Sequence, residues 1–238
     1  MKLVVMLMLL VLAQSAQAAF VINSTRYIYN QDDNSIPVEV SNKSDRRYGG
    51  QISVYQDGAD KGEINTDSAV VLPSPPVFKI NPNAKQRVNL RMINKGTLPL
   101  DRESLFWLNV LVIPLVDGGS STSGNSISLA MSVKLKLLYR PNSIAQARRD
   151  AESKVTYKRE NGQLVLTNNT PFYFAVSKIM LDGNEINNIS AEARGGLQKF
   201  VPFSSVNIAL GKAKKFSEVK ITAIDDWGAT NTFVLATN

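Results

Sequence analysis

The sequence predicts an all-β protein of two antiparallel sandwich domains, and three observations support this prediction. Apolar and polar residues alternate between Ser126 and Arg140, short strand-like segments follow one another between turn clusters, and this pattern stops after Pro141 and then restarts. Alternation with a period of two is typical of β-strands, because successive side chains point to opposite faces of a sheet. Strands separated by turn clusters at short intervals favour an antiparallel sandwich.

Residues 1–18 are predicted to be a secretory signal peptide. Lys2 is followed by the apolar run LVVMLMLLVLA and then by Ala16-Gln17-Ala18, which supplies the small residues of a cleavage site. The run is shorter than the stretch of about 20 apolar residues that a transmembrane helix needs. We therefore expect an exported protein whose mature chain begins near Ala19 and has about 220 residues, the length of two domains or of one large sandwich.

Polar turn clusters such as NQDDN, QDGADKGE and INPNAK separate the strands predicted before Pro141. The last of these strands is unusual, because its alternation extends over about twice the five or six residues of an ordinary strand. Its length therefore requires an explanation. The predicted strands are Phe20–Tyr29, Ile36–Ser41, Gly50–Tyr55, Arg87–Ile93, Leu105–Ile113 and the long run that begins at Ser126.

The segment NSIAQARRDAESK, which follows Pro141, is polar and is predicted to be a linker with at most one helical turn. Beyond it, short strands are predicted at QLVLTNN, FYFAVSKIML, VNIAL, EVKITAI and TFVLA, with turns at NGQ, LDGNE, RGG and DWGA. The predicted domains are therefore residues 19–141 and 151–238, joined by a linker at 142–150.

The composition excludes several kinds of active site. The chain has no cysteine and no histidine, so it has no disulfide, no serine-histidine or cysteine-histidine nucleophile pair, and no histidine or thiolate metal site. Paired carboxylates or a serine-lysine dyad remain as enzyme chemistry, but neither forms a recognisable motif here. No phosphate-binding glycine loop of the GxxxxGK type is present. We therefore expect no catalytic residue, no metal and no cofactor.

The net charge gives little support for a nucleic-acid partner. The formal charge is +7, and removal of the signal peptide with Lys2 leaves 7 − 1 = +6. Lysines and arginines are dispersed among acidic residues, and an exported protein rarely meets nucleic acid. We expect a solvated basic surface on which one or two cations have a local role.

Six segments of the chain resemble, in the same order, segments of the periplasmic chaperones of chaperone-usher pili. The resemblance extends over nearly the whole mature chain, and its most specific part is the pair DRESLFW and KLKLLYRP. The stretch DGGSSTSGNS before the long strand is short, as is the corresponding loop in one group of these chaperones, and the chain resembles that short-loop group. The six segments are STRYIY, LPSPPVFKI, LPLDRESLFWLNV, ISLAMSVKLKLLYRP, NNTPFYFAV and DDWGA.

The resemblance implies two immunoglobulin-like sandwiches that meet at an angle, as in a boomerang, with a cleft between them. It also implies a periplasmic protein that binds pilus subunits and delivers them to an outer-membrane usher. Such a subunit lacks the last strand of its own sandwich, so it presents an apolar groove and an unpaired edge that promote aggregation. The long strand is expected to fill this gap.

Three positions of the long strand, Ile127, Leu129 and Met131, are expected from the resemblance to enter the groove of the subunit. The strand backbone would pair with the edge of the subunit, as in other cases of strand addition. Burial of three such side chains is worth about 5–9 kcal/mol, at about 1.5–3 kcal/mol each, before ordering costs are subtracted. The inner positions, Leu135 to Tyr139, are expected to pack in the core of the chain itself.

Arg26 and Lys136 are expected, again from the resemblance, to bind the terminal carboxylate of the subunit in the cleft. Two cations on one carboxylate form charge-assisted hydrogen bonds and fix the register of the added strand. Lys136 occupies an even position, so strict alternation directs it away from the three donor positions. A twist or a bulge between Met131 and Lys136 is one way in which both sets reach the subunit.

Glu103, Arg140 and Asp226 are expected from the resemblance to form an ion triad across the domain interface. Arg140 would bridge one carboxylate from each domain. Such a network contributes more to the relative orientation of the domains than to stability, because desolvation offsets much of the Coulomb attraction.

Two other classes of protein remain as alternatives to a chaperone. One is an enzyme with paired carboxylates, and the other is a pilus component or exported adhesin built from similar sandwiches. A pilus subunit would be one incomplete domain with a donated segment at its N-terminus, whereas here the alternating strand lies mid-chain and a second domain follows. The sequence leaves open whether the free protein covers its apolar strand by forming a self-capping dimer.

Overall fold

The computed structural model describes residues 19–58, 70–115, 129–210 and 216–237. The predicted signal peptide, residues 1–18, and the donor position Ile127 lie outside these ranges. Within them, no helix is both long enough and apolar enough to cross a membrane.

The N-terminal half of the described chain forms a sandwich of two sheets. One sheet has the strand order β1-β3-β7-β5 and the other has the order β2-β9-β8-β4-β6. Apolar side chains from both sheets, such as Val40, Leu90, Leu108 and Leu137, are buried together in one core. The strands are β1 Phe20–Ile22, β2 Arg26–Asn30, β3 Ile36–Asn42, β4 Tyr48–Gln56, β5 Val70–Ser74, β6 Val77–Ile80, β7 Lys85–Ile93, β8 Ser104–Pro114 and β9 Met131–Arg140.

The C-terminal half forms a second sandwich with its own core. Its sheets have the strand orders β14-β11-β10-β17 and β13-β12-β15-β16. Leu164 and Ile208 from the first sheet and Ile179 and Ile221 from the second are buried in the same cluster. The strands are β10 Val155–Glu160, β11 Gln163–Asn168, β12 Val176–Leu181, β13 Asn184–Glu185, β14 Ser205–Ala209, β15 Val219–Ile224, β16 Thr230–Val234 and β17 Ala236–Thr237. The predicted all-β class with two sandwiches is confirmed.

Two α-helices and three 3₁₀ turns lie between the strands of the described chain. α1 is Asn142–Ala145 and α2 is Ala191–Gln198, and 3₁₀ turns occur at Lys95–Thr97, Gln146–Arg148 and Ala151–Lys154. The prediction of at most one helical turn after Pro141 was therefore wrong. Ile144 and Ala151 are buried in the C-terminal core, so tertiary packing orders a segment whose sequence looks like a solvated linker.

The single strand predicted at Phe20–Tyr29 is also wrong, because the chain changes sheets within it. β1 pairs with β3, whereas β2 pairs with β9 in the opposite sheet. Asn23 lies between β1 and β2 and contacts both sheets. Its backbone N–H donates to the carbonyl of Glu39 on β3 at 3.1 Å, and its side-chain oxygen accepts a hydrogen bond from the hydroxyl of Tyr27 on β2 at 2.6 Å. The crossing places Arg26 at the start of a strand that lies against β9.

The predicted turn at Arg194-Gly195-Gly196 lies instead inside helix α2. The Ser190 hydroxyl caps this helix by accepting a hydrogen bond from the backbone N–H of Ala193 at 3.2 Å, which satisfies one of its free N–H groups. Ala193 and Leu197 are buried against the C-terminal core. This packing outweighs the poor helix propensity of two adjacent glycines.

Candidate functional site

Among the described residues, the N-terminal half of β9 pairs with a strand on only one side. β9 pairs with β8 in antiparallel orientation from Met131 to Tyr139, but it pairs with β2 in parallel orientation only from Lys136 to Arg140. In the described part of the chain, residues 131–135 therefore have a free second edge. The hydrogen-bonding groups on such an edge are available to another strand.

The apolar face of β9 becomes progressively more exposed toward the N-terminal end of the strand, where the second edge is free. Leu137 and Tyr139 are fully buried, Val133 and Leu135 are half-buried, and Met131 is 47% exposed. Leu129, just before the strand, is 78% exposed. Of the three predicted donor positions, the structure describes Leu129 and Met131, and both are exposed apolar side chains. The strand was predicted to start at Ser126, but Leu129 and Ala130 lie outside any strand and β9 begins at Met131.

The pairing of β9 with β8 is one-to-one from Met131 to Tyr139, without a bulge between Met131 and Lys136. Odd and even positions therefore keep to opposite faces of the sheet. The odd positions from Leu135 to Tyr139 face the core, and Val133 and Met131 extend the same apolar face toward the N-terminal end of the strand. The even positions Lys134, Lys136 and Arg140 lie on the other face, which borders the C-terminal sandwich.

Arg26 and Lys136 are adjacent on neighbouring strands and line one cavity of about 740 Å³ between the sandwiches. Arg26 is 8% exposed and donates from Nη1 to the Ile224 carbonyl at 2.8 Å, and its Nε has no hydrogen-bond partner among the described residues. Lys136 donates from Nζ to the Gln198 carbonyl. The hydrogen bonds of both cations thus go to neutral carbonyls of the C-terminal sandwich.

Both cations are held in an environment that disfavours their charge. Burial and, to a smaller extent, the positive charges of Arg26 and Lys199 together lower the pKa of Lys136 to about 8. Burial likewise lowers the pKa of Arg26, against the attraction of Asp226 and Asp225. An anion in the cavity would relieve this destabilisation of both cations.

The structure brings Glu103, Arg140 and Asp226 together, and Arg140 joins one carboxylate from each sandwich. Its Nε donates to Oε1 of Glu103 at 2.7 Å, and its Nη1 donates to Oδ2 of Asp226 at 2.8 Å. The other oxygen of Glu103 accepts a bond from the backbone N–H of Tyr173 at 2.8 Å, so Glu103 itself crosses the interface. Burial raises the pKa of Glu103, although the charge of Arg140 opposes this.

The network contains two further residues that sequence reasoning missed, Arg148 and Glu152. Nη2 of Arg148 lies 3.2 Å from Oδ1 of Asp226 and 2.7 Å from Oε1 of Glu152. Arg148 and Glu152 are four positions apart, a spacing that allows an ion pair when the segment is helical. Because the sequence predicts a linker here, this spacing did not indicate a pair. The triad is therefore the centre of a chain of five charges that fastens the segment between the sandwiches to both of them.

Family models match nearly the whole described chain. The model described as the N-terminal domain of PapD, a pili and flagellar-assembly chaperone, matches residues 19–145. The model described as the C-terminal domain of the pili assembly chaperone PapD matches residues 150–234.

Individual relatives agree with the family models. The chain is 38% identical over 234 residues to the chaperone protein FanE of Escherichia coli, covering 98% of this chain and 97% of FanE. It is 32% identical over 234 residues to the chaperone protein FaeE of Escherichia coli, covering 96% of this chain and 83% of FaeE. In a solved Salmonella enterica complex of the SafA pilin with the SafB chaperone, the matching chain has a TM-score of 0.72 at 22% identity and covers 94% of this chain and 98% of its own length. This last likeness concerns the fold.

Proposed function

The chain belongs to the family of pilus-assembly chaperones, and from this membership we propose that it is a periplasmic chaperone that completes fimbrial subunits with its strand β9. The subunit would add its edge strand to the free edge of β9, and Ile127, Leu129 and Met131 would fill its apolar groove. Arg26 and Lys136 would hold the terminal carboxylate of the subunit, and the bound subunit would then pass to an outer-membrane usher.

The observation that carries this proposal is the free edge at residues 131–135. Exposed strand edges promote aggregation, and proteins usually cover or interrupt them. Here the edge instead continues into the exposed apolar side chains of Met131 and Leu129. A strand that pairs with this edge would gain backbone hydrogen bonds, and a groove that receives the two side chains would gain their burial.

The start of β2 supports a defined orientation for the added strand. β2 occupies the second edge of β9 from Lys136 onward, so a strand added at 131–135 must end beside Lys136. The two cations at this point favour the end that carries a carboxylate. The added strand would therefore run parallel to β9, with its C-terminus at Arg26 and Lys136. From Lys136 back to Met131 the chain spans about 17 Å, at about 3.3 Å per residue.

We expect Leu129→Glu to weaken subunit binding strongly while leaving the melting temperature of the free protein almost unchanged. Leu129 is 78% exposed, so its replacement removes little from the protein's own core. In the complex the change removes a buried leucine, worth about 1.5–3 kcal/mol, and places a charge in an apolar groove. Thermal melting of the free variant and titration with the purified subunit measure the two effects, and binding should weaken at least about a hundredfold.

Leu137→Ala is the matched control, because Leu137 belongs to the same alternating row of apolar residues in the sequence but is fully buried. It should lower the stability of the free protein by about 2–5 kcal/mol. A comparable fall in stability for Leu129→Glu would contradict the proposal, since it would assign Leu129 to the core of the free protein.

Binding of a subunit carboxylate should weaken as the pH rises from 7 to 9.5. The pKa of Lys136 is lowered to about 8, mainly by burial and also by Arg26 and Lys199, so its ammonium is charged at pH 7 and largely neutral at pH 9.5. Only the charged form attracts the carboxylate. Above pH 8 the affinity should fall by at most about tenfold per pH unit. Arginine stays charged over this range. Lys136→Arg should therefore remove the fall, and an identical fall in that variant would exclude Lys136 as its source.

A further inference from the structure

A second ionic contact crosses the cleft, on the cavity that holds Arg26 and Lys136. Asp57, just after β4 in the N-terminal sandwich, accepts a hydrogen bond from Nζ of Lys199, just after α2 in the C-terminal sandwich, at 2.8 Å. The other oxygen of Asp57 accepts a bond from Nε1 of Trp107 at 2.7 Å. Asp57 is thus fixed on its own sandwich by Trp107 and extends to a cation of the other.

The described lining of the cavity is rich in cations and includes a single acidic side chain, that of Asp57. Burial alone would raise the pKa of Asp57, but hydrogen bonds from Lys199 and Trp107 outweigh burial, and the pKa is lowered. Asp57 is therefore an anion at neutral pH. The basic side chains of the lining are Arg26, Lys134, Lys136 and Lys199.

Asp57 and Lys199 lie next to the two cations of the proposed carboxylate site. Trp107, which holds Asp57, is the direct partner of Lys136 across β8 and β9. Lys136 itself donates to the carbonyl of Gln198, the residue before Lys199. The charge of Lys199 also acts on Lys136, as the lowered pKa of Lys136 indicates.

We propose that Lys199 is a third cation of the carboxylate site and that Asp57 occupies it in the free protein, so that the terminal carboxylate of the subunit displaces Asp57 from Lys199. This inference rests on the proposed function of Arg26 and Lys136. In the free protein, Asp57 would compete with the subunit carboxylate for Lys199 while Trp107 Nε1 holds it in place. In the complex, the subunit carboxylate would replace Asp57 at Lys199.

An internal competitor would make the site selective for a carboxylate that arrives on a strand. A tethered group competes at an effective concentration of about millimolar or more, so a small free anion at lower concentration does not replace it. A carboxylate at the end of a strand already paired with β9 is itself held at a high local concentration. Only such a ligand can then take over Lys199.

The test measures the affinity of two synthetic peptides for the mature protein. Both have ten residues with alternating apolar side chains, and they differ only in a free carboxylate or an amide at the C-terminus. Asp57→Asn, which keeps the size and the hydrogen bond from Trp107, should bind the acid peptide about tenfold more tightly and the amide peptide unchanged. Lys199→Gln should bind the acid peptide about tenfold more weakly. In the double variant, Asp57→Asn should no longer increase affinity.

Two results would overturn the inference. Weaker or unchanged binding of the acid peptide by Asp57→Asn would make Asp57 a clamp between the sandwiches, and unchanged binding by Lys199→Gln would exclude a third cation. Failure of the proposed function looks different. In that case the wild-type protein would bind the acid peptide and the amide peptide equally, or Arg26→Ala would not reduce binding of the acid peptide. Either result would contradict both the proposed function of the two cations and the role of Lys199. Thermal melting of each variant separates these results from misfolding.

Discussion

Replacement of Arg140 by alanine is expected to lower the free energy of unfolding by about 3–5 kcal/mol, the effect of removing one partner from a buried ion pair. Glu103 is almost fully buried and would lose its bonds from Arg140, leaving an uncompensated charge beside Asp226. The ionic contact that Arg140 makes between the two sandwiches would be lost as well, so their relative orientation would be less fixed. Urea unfolding measures the loss of stability, and small-angle scattering measures the change in the angle between the domains.

The pH dependence separates this loss of charge pairing from a simple loss of packing. Burial already raises the pKa of Glu103, and removal of Arg140 would raise it further, so the folded variant takes up a proton more readily than the unfolded chain. The penalty should therefore shrink as the pH falls from 7 to 5, because a protonated Glu103 carries no charge. A penalty independent of pH would indicate that Arg140 acts through its packing.

Lys85→Ala is the matched control, because Lys85 forms an exposed ion pair with Glu39 at 2.7 Å within the N-terminal sandwich. Exposed pairs contribute little to stability, so this variant should melt close to wild type. If Arg140→Ala unfolds and scatters as this control does, the five-charge network does not hold the sandwiches together.

The double variant Arg26→Ala/Lys136→Ala is expected to lose subunit binding while remaining folded. Each cation would make a charge-assisted hydrogen bond worth about 1.5–3 kcal/mol, so loss of both should weaken binding by more than about a hundredfold. The free protein should tolerate the change, because neither side chain packs in an apolar core and burial already disfavours both charges. Co-expression with the cognate subunit gives the readout, since an unprotected subunit aggregates or is degraded.

The control carries the same change of charge at exposed positions, as Lys85→Ala/Arg102→Ala. Lys85 pairs with Glu39 on β3 and β7, away from the cleft. This control should accumulate the subunit as wild type does. Normal accumulation by the cleft variant would remove Arg26 and Lys136 from the carboxylate site and would also remove the basis for the role of Lys199.

Local sequence pattern determined the strand character of β9 and the division into two sandwiches. An alternation such as that from Met131 to Tyr139 fixes which side chains share a face, whatever the surrounding fold, because the period of a strand is set by its own backbone. The resemblance of short motifs identified Arg26 and Lys136 in advance, together with the triad of Glu103, Arg140 and Asp226. The pattern could not say which half of the apolar row would be covered.

Tertiary structure decided everything that depends on which segments meet. The break of Phe20–Tyr29 into two sheets, the helix over Arg194-Gly195-Gly196 and the order of the segment after Pro141 each follow from packing against distant residues. Ion pairs give the clearest case. Asp57 and Lys199 are 142 positions apart, and each alone looks like a solvated surface charge, because a charge has no periodic pattern that reveals its partner. Only the meeting of the two sandwiches brings Asp57 and Lys199 together, beside the cations that the subunit is proposed to bind.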